Sequence, residues 1–402
     1  MKPEIKKRIE QIKNGEIPQG YKKTKVGIIP NDWEVKNLGS VCSKFDYGMN
    51  AASKNFDGVN KYIRITDIDD NTHRYMYNDI VSPSGILQDD YIVNKNDILF
   101  ARTGATVGKT YLYSENDGIL YFAGFLIRAN VNSDNSYYIY SQTLTNKYYN
   151  WVNIMSQRSG QPGINAQEYK EFKFPYCCIK EQQKIAEILT AQDKVIELKE
   201  KLITEKERQK KYLMQQLLTG KKRLKGFSGE WKTVELNEVF DYIQPTPYLV
   251  KNTNYSNEFK TPVLTAGKTF ILGYTDETNG IFSKTPVIIF DDFTTASRYV
   301  DFNFKLKSSA IKILTIKDGY NIKFAYEAMQ QIKFLVGGHE RHWISKYNYL
   351  TIDVPNLDEQ NAIAEILSKA DKEIELLKQD LEQEKLKKKA LMQLLLTGIV
   401  RV

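Results

Sequence analysis

Side chains capable of recognition chemistry gather in short glycine-flanked runs of this sequence. ARTGATVGKT (101–110) carries Arg102, Thr103 and Lys109. QRSGQPG (157–163) carries Arg158, Ser159 and Gln161, and RITD (64–67) adds Arg64 and Thr66 beside a strand-like run. In the second half TAGK (265–268) supplies Thr265 and Lys268, TTASR (294–298) supplies Arg298, and GGHERHW (337–343) supplies His339, Arg341 and His342. Arg and Lys pair with guanine edges or phosphates, Asn and Gln with adenine, and Ser or Thr with either. Glycines beside them let backbone amides approach a phosphate. A solvated turn accounts for any one such loop; the recurrence in both halves points to nucleic-acid contact.

Catalytic patterns fail on spacing. In ARTGATVGKT three residues, not the four of a phosphate-binding loop, separate Gly104 from Gly108-Lys109-Thr110, and the following TYLYSEND reads as a strand, not a helix. His339 and His342 stand three apart, whereas a zinc-protease helix needs four, and no third ligand is evident. With 3 His in the chain, histidine acid–base chemistry has few candidates. Asn-Pro-Pro and Asp-Pro-Pro steps are missing, as is a Gly-x-Gly-x-x-Gly turn, and Asp291-Asp292 reads as the end of a strand.

The elements that must position these loops include a repeat. EQQKIAEILTAQDKVIEL (181–198) matches EQNAIAEILSKADKEIEL (359–376), and KKYLMQQLLTG (210–220) matches KKALMQLLLTG (388–398), at one offset of 178 residues. Roughly half of about 44 positions are identical, which marks one unit used twice. Pro175 and Pro355 stand upstream of each copy, and Gly220 and Gly398 close them, so each reads as an uninterrupted helix of about 40 residues, roughly 60 Å.

Apolar spacing predicts that the two helices pack on each other, antiparallel, through Leu367, Ile374, Leu377, Leu381 and Leu395 of the second copy. In the first copy the stripe Ile188, Ala191, Val195, Leu198 and Leu202 leads, with Leu217 near the end, and Ile185, Leu189, Ile196 and Ile203 lie on a neighbouring face. The surplus apolar surface is expected to serve other subunits. Gln192, Lys199, Lys206 and Lys210 make the first seam more polar and predict pairing that is weaker at its middle or shifted in register.

Between the helices the frame recurs but the contents do not: Trp33, Leu38 and Val41 match Trp231, Leu236 and Val239, and Tyr169, Phe174 and Pro175 match Tyr349, Val354 and Pro355. The reading is an α+β chain of two mixed α/β domains on two long helices with pseudo-two-fold symmetry. Its segments are an N-terminal helical segment 1–21, domains 22–176 and 222–356, and helices 177–221 and 357–402. A net charge of +8 suits a polyanionic partner. The absence of an apolar run of about 18 residues predicts no membrane span. A charged N-terminus and an unpaired set of Cys42, Cys177 and Cys178 point to the reducing cytoplasm.

The repeated Pro, E-Q-x-x-I-A-E-I-L and L-M-Q-x-L-L-T-G, with DILFARTGATVGK (97–109) and FSGEWKTVEL (227–236) between, resembles the specificity subunit of type I restriction–modification enzymes across essentially the whole chain. The resemblance implies that each domain reads one half of an asymmetric bipartite double-stranded DNA site and that the helices set the spacer. It implies partners that carry the chemistry: two methylation subunits using S-adenosylmethionine, and ATP- and Mg-dependent restriction subunits. On this reading the chain has no catalytic residues, metal or cofactor of its own. A stand-alone site-specific nuclease and a structural coiled-coil adaptor are the alternatives.

Overall fold

The computed structural model describes residues 3–267, 269–336 and 341–402. They form two compact units, Met1–Leu198 with Leu381–Val402, and Lys199–Asp380. The boundaries fall inside the long helices, not at their ends, so each unit combines one globular domain with a stretch of both helices.

The first unit begins with α1 (Pro3–Lys13), which holds the chain end: Arg8 donates to the carbonyl of Ile399 at 2.6 Å. Its main sheet comprises β1 (Cys42–Tyr47), β2 (Asp97–Ala101), β3 (Thr110–Leu112) and β4 (Leu126–Val131), in the order β1-β4-β2-β3, all antiparallel. Strand β2 is buried along its whole length, because both faces are covered. Ile98 and Phe100 face one core with Tyr169, Ile185 and Leu395; Leu99 and Ala101 face a second with Ile63, Tyr111 and Phe122. Three helices follow: α2 (Ser136–Gln142), α3 (Asn146–Met155) and α4 (Ala166–Lys170), capped by Asn135, Thr145 and Asn165. Then comes the long α5 (Ile179–Leu217).

The second unit repeats this plan. Strands β5 (Phe240–Ile243), β6 (Val287–Asp291), β7 (Ser297–Val300) and β8 (Ile311–Ile316) are ordered β5-β8-β6-β7. Helices α6 (Ile322–Met329), capped by Asn321, and α7 (His342–Ser345) precede the long α8 (Leu357–Leu395). Ile288, Phe290 and Leu314 pack against Leu367 of α8, while Val287, Ile289 and Ile313 form the opposite core.

Within each unit the long helices run antiparallel. In the first, Gln192 and Asp193 of α5 meet Glu384 and Lys388 of α8 at 2.6 and 2.5 Å. In the second, Lys199 pairs with Asp380, and Lys206 and Lys210 pair with Glu373 and Asp371, both at 2.6 Å. The polar residues that predicted a weak seam are therefore matched, the three lysines by carboxylates and Gln192 by a hydrogen bond to Glu384. Such exposed pairs each contribute little, but they fix register.

The apolar expectation needs a correction. Ile185, Leu189, Ile196 and Ile203 form the buried seam of α5, whereas Ile188, Val195, Leu198 and Leu202 are 37%, 37%, 53% and 42% exposed. The face chosen from spacing was one helical step from the packed one. On α8, Leu367, Ile374, Leu381 and Leu395 are buried and Leu377 half-buried, and Leu217 of α5 is buried in the second unit's core.

The repeated Glu-Gln pair has a structural role in each copy. Gln182 Oε1 accepts from the amide of Asn135, the residue that caps α2, and Gln360 does the same for Asn321 and α6. Glu181 holds Arg401, and Glu359 holds Arg223, each through two charge-assisted bonds of 2.5–2.9 Å. Both arginines stand three residues after the terminal glycine of a long helix. Left-handed Gly220 (φ 65°) and Gly398 (φ 69°) turn the chain there, which brings the arginine back.

Candidate nucleic-acid interface

In the first unit the two loops predicted from sequence lie side by side. The amide of Gly104 donates to the carbonyl of Pro162 at 3.0 Å, and that of Ile164 to the carbonyl of Arg102 at 2.9 Å. Residues 102–107 cap the β2–β3 hairpin, and 157–161 bulge from a loop closed where the amide of Gly163 donates to the carbonyl of Ser156 at 3.0 Å. Close packing requires Gly108 there: a Cβ would lie 2.5 Å from Val152 Cγ1. Thr103 is half-buried in this pair of loops; Ser159 and Gln161 are exposed.

Arg102 is the best-positioned cation of this rim. Its Nε donates to the carbonyl of Gly124 at 3.0 Å, and its guanidinium lies 4.9 Å from the Tyr47 ring centre. These two contacts fix the plane of the fork, while its terminal nitrogens have no partner among the described residues. A planar fork held this way suits two-point recognition of a guanine edge or a phosphate. Arg158, by contrast, is bound to Glu168 at 2.5 Å and to the carbonyls of Met155 and Gln157.

The corresponding rim of the second unit is built differently. The amide of His342 donates to the carbonyl of Asp292 at 2.8 Å, as Ile164 does to Arg102. Asp292 is fully buried; its Oδ1 accepts from the amide of Trp343, and Lys312 Nζ lies 3.8 Å from its Oδ2. Lys312, also buried, donates to Gln244 at 3.1 Å. Arg298 on β7 is exposed and set 5.9 Å over the Phe270 ring.

The family model for the type I restriction modification DNA specificity domain matches residues 30–208 and 228–385. The chain belongs to that family. This specificity subunit is 48% identical over 161 residues to a type I restriction enzyme specificity subunit of Escherichia coli, a match covering 37% of this chain and 39% of that protein. It is 28% identical over 424 residues to a putative type I restriction enzyme specificity subunit of Methanocaldococcus jannaschii, covering 96% of this chain and 97% of that protein. The solved S subunit of a type I system from M. genitalium shares the fold with a TM-score of 0.60 at 16% identity, covering 90% of this chain and 96% of that one.

The structure sorts the predicted readers of this specificity subunit. Arg102, Thr103, Arg158, Ser159 and Gln161 come together on one rim. Arg64 does not join them as a free cation: it is bound to Asp67 and to Asp79 at 2.7 and 3.0 Å, and the Asp67 carboxylate raises its pKa above the usual arginine value. Thr66 lies exposed on the turn that this pair holds. Lys109, with 10% of its side chain exposed, is bound to Asp70 and to the carbonyl of Ile68, so it ties a loop down rather than reaching outward.

In the second unit Thr265 closes its own hairpin by donating to the carbonyl of Thr269 at 2.7 Å. Arg298 and Arg341 are exposed. His342 is corrected: at 1% exposure it is part of the interior and cannot reach a base edge. Lys268 and His339 lie outside the described residues.

Sequence reasoning missed Tyr47 and Phe270, the rings that support Arg102 and Arg298, because neither lies in the loop of its arginine. It also missed the Arg223 and Arg401 latches. Their signal was present, since an Arg follows each Thr-Gly of the repeat by the same spacing.

Proposed function

We propose that each unit of this specificity subunit reads one half of an asymmetric bipartite DNA site, with Arg102 as the base reader of the first and Arg298 of the second. The observation that carries this is the half-exposed fork of Arg102, held by Gly124 and Tyr47 beside a second polar loop. The unlike rim of the second unit supports an unlike half-site. The long helices set the spacer and dock two methylation subunits, and Ile188, Ala191, Val195 and Leu198, exposed along α5, offer one apolar face for that purpose. The partners supply the chemistry with S-adenosylmethionine, ATP and Mg, restriction subunits joining for cleavage, and the assembly works in the cytoplasm. No helix among the described residues is long and apolar enough to cross a membrane.

Mapping methylated adenines in cells carrying the system gives the site. Arg102→Ala is expected to relax one position of one half-site at a cost of about 1–3 kcal/mol, and Arg298→Ala one position of the other. Loss of both halves together, or of neither, would overturn the assignment.

A further inference from the structure

Phe125 sits on the turn before β4, 57% exposed, and belongs to none of the apolar cores of its unit. A lone exposed aromatic needs no explanation. This one, however, stands in register with the candidate reader. The amide of Arg102 donates to the carbonyl of Phe125 at 3.0 Å, extending the β2–β4 pairing in which Ala101 opposes Leu126. Directly opposed residues of an antiparallel pair point to one face, with Cβ atoms about 5 Å apart. On that same face lie Phe100 and Ile127, both buried, and then Tyr47, opposite Ile127 and 43% exposed. The face thus runs from the core out to a rim where an aromatic stands on each side of one arginine.

Close backbone contacts hold this rim. The amides of Met49 and Gly124 donate to the carbonyls of Phe122 and Met49 at 2.8 and 2.9 Å, and a Cβ on Gly48 would lie 2.1 Å from the carbonyl oxygen of Ala123. Phe125 is therefore presented on an ordered turn beside a fork whose plane is already fixed.

We propose that Phe125 is a specificity-determining residue that packs against the 5-methyl group of a thymine next to the guanine read by Arg102. This rests on the proposed role of Arg102 as a base reader. Apolar side chains recognise the thymine methyl in the major groove, where Arg pairs with guanine O6 and N7. Side chains about 5 Å apart reach bases one step apart, since neighbouring bases on a strand are about 3.4 Å apart. At the equivalent hydrogen-bonded positions the second unit has Ala310 and the buried Asp292, so the contact belongs to one half-site only.

The test uses the complex of this chain with its methylation subunits, on duplexes in which each thymine of the half-site relaxed by Arg102→Ala is replaced in turn by deoxyuridine. The wild type is expected to bind one of these, adjacent to the guanine, about fourfold more weakly, as the loss of one buried methyl group implies. Phe125→Ala is expected to bind thymine and uracil duplexes equally, while keeping its full selectivity at the other half-site, which shows that it is folded. Equal wild-type affinity for thymine and uracil at every position would overturn the proposal. So would a thymine preference that survives in Phe125→Ala, or a half-site with no thymine beside the guanine. If the complex shows no sequence selectivity on unmodified duplexes, the proposed function fails as well, and that is visible before any deoxyuridine is introduced.

Discussion

The two units share a sheet order and a set of frame contacts, yet matched positions on their rims carry opposite chemistry. Where the first unit has Arg102, the second has Asp292; where the first has Ile164, the second has His342. Each pair is matched by the same backbone bond, residue 164 or 342 donating to the carbonyl of 102 or 292. Further in, Ile127 corresponds to Lys312 and Tyr47 to Gln244 by strand register. The frame contacts tie backbone to backbone, glutamine side chain to backbone amide, or carboxylate to guanidinium, and none uses a rim side chain. A rim can therefore exchange an outward cation over an apolar bed for a buried polar cluster without altering the frame. The second unit presents the exposed Arg298 from the neighbouring strand β7.

The largest expected effect comes from forcing one unit's rim onto the other. Lys312→Ile places the first unit's residue in the second and leaves the buried Asp292 without the cation 3.8 Å away. Removing one partner of a buried pair costs about 3–5 kcal/mol. Adding Asp292→Leu to that change is expected to recover only part of the loss, because it removes the unpaired carboxylate but leaves the Trp343 amide without its acceptor. Urea unfolding followed by fluorescence of Trp231 and Trp343, both in this unit, measures it. A neutral single change would show that the polar cluster contributes nothing and that the contrast between the rims is incidental.

The frame itself should prove similar in both units but not equal. Glu181 accepts from Arg401 and also from Trp33 Nε1 at 3.1 Å, whereas Trp231 Nε1, the matched donor, is buried without a partner. Glu181→Ala is expected to cost about 3 kcal/mol and Glu359→Ala about 2, the difference being one hydrogen bond to a charged group on partly exposed latches. Trp33→Phe should remove that difference. Equal costs in the starting protein would mean that Trp33 adds nothing to its latch.

Why some of this was legible in the sequence follows from the same contrast. Frame residues make one contact in both copies, so selection of the contact leaves one residue type at one offset. Glu181 with Glu359, Gln182 with Gln360 and Asp193 with Asp371 are visible by alignment of the chain with itself. The choice of helix face was not legible, because α5 has apolar residues on two adjacent faces and only packing decides between them: Ile185 and Leu189 are buried, Ile188 is not. Rim residues were legible as types but not as roles. Arg64, Arg102 and Arg158 look alike in sequence, and they differ only in which carboxylate or carbonyl the fold places beside them.

The smallest expected effect concerns acid. His73, in the first unit, is buried between Thr110 and Tyr149; its Nδ1 lies 2.8 Å from the Thr110 carbonyl and its Nε2 3.1 Å from the Tyr149 hydroxyl. The carbonyl can only accept, so Nδ1 donates to it, while the hydroxyl can donate to Nε2 or accept from it. Burial, with Lys109 and Lys388 nearby, holds its pKa below the ordinary 6.5, against the opposing influence of the Thr110 carbonyl and Asp69. The unfolded chain therefore takes up a proton first as pH falls through about 6.5, and the native state loses stability until its own lower pKa is passed. The carboxylates Asp32, Asp57 and Asp69 have lowered pKa values, so they titrate below this window. The loss between pH 7 and 5 should appear in Trp33 and Trp151 fluorescence, both in the first unit, and be smaller than either change above. It should be flattened by His73→Gln, whose amide can also donate and accept. An unchanged pH slope in that variant would place the acid sensitivity elsewhere.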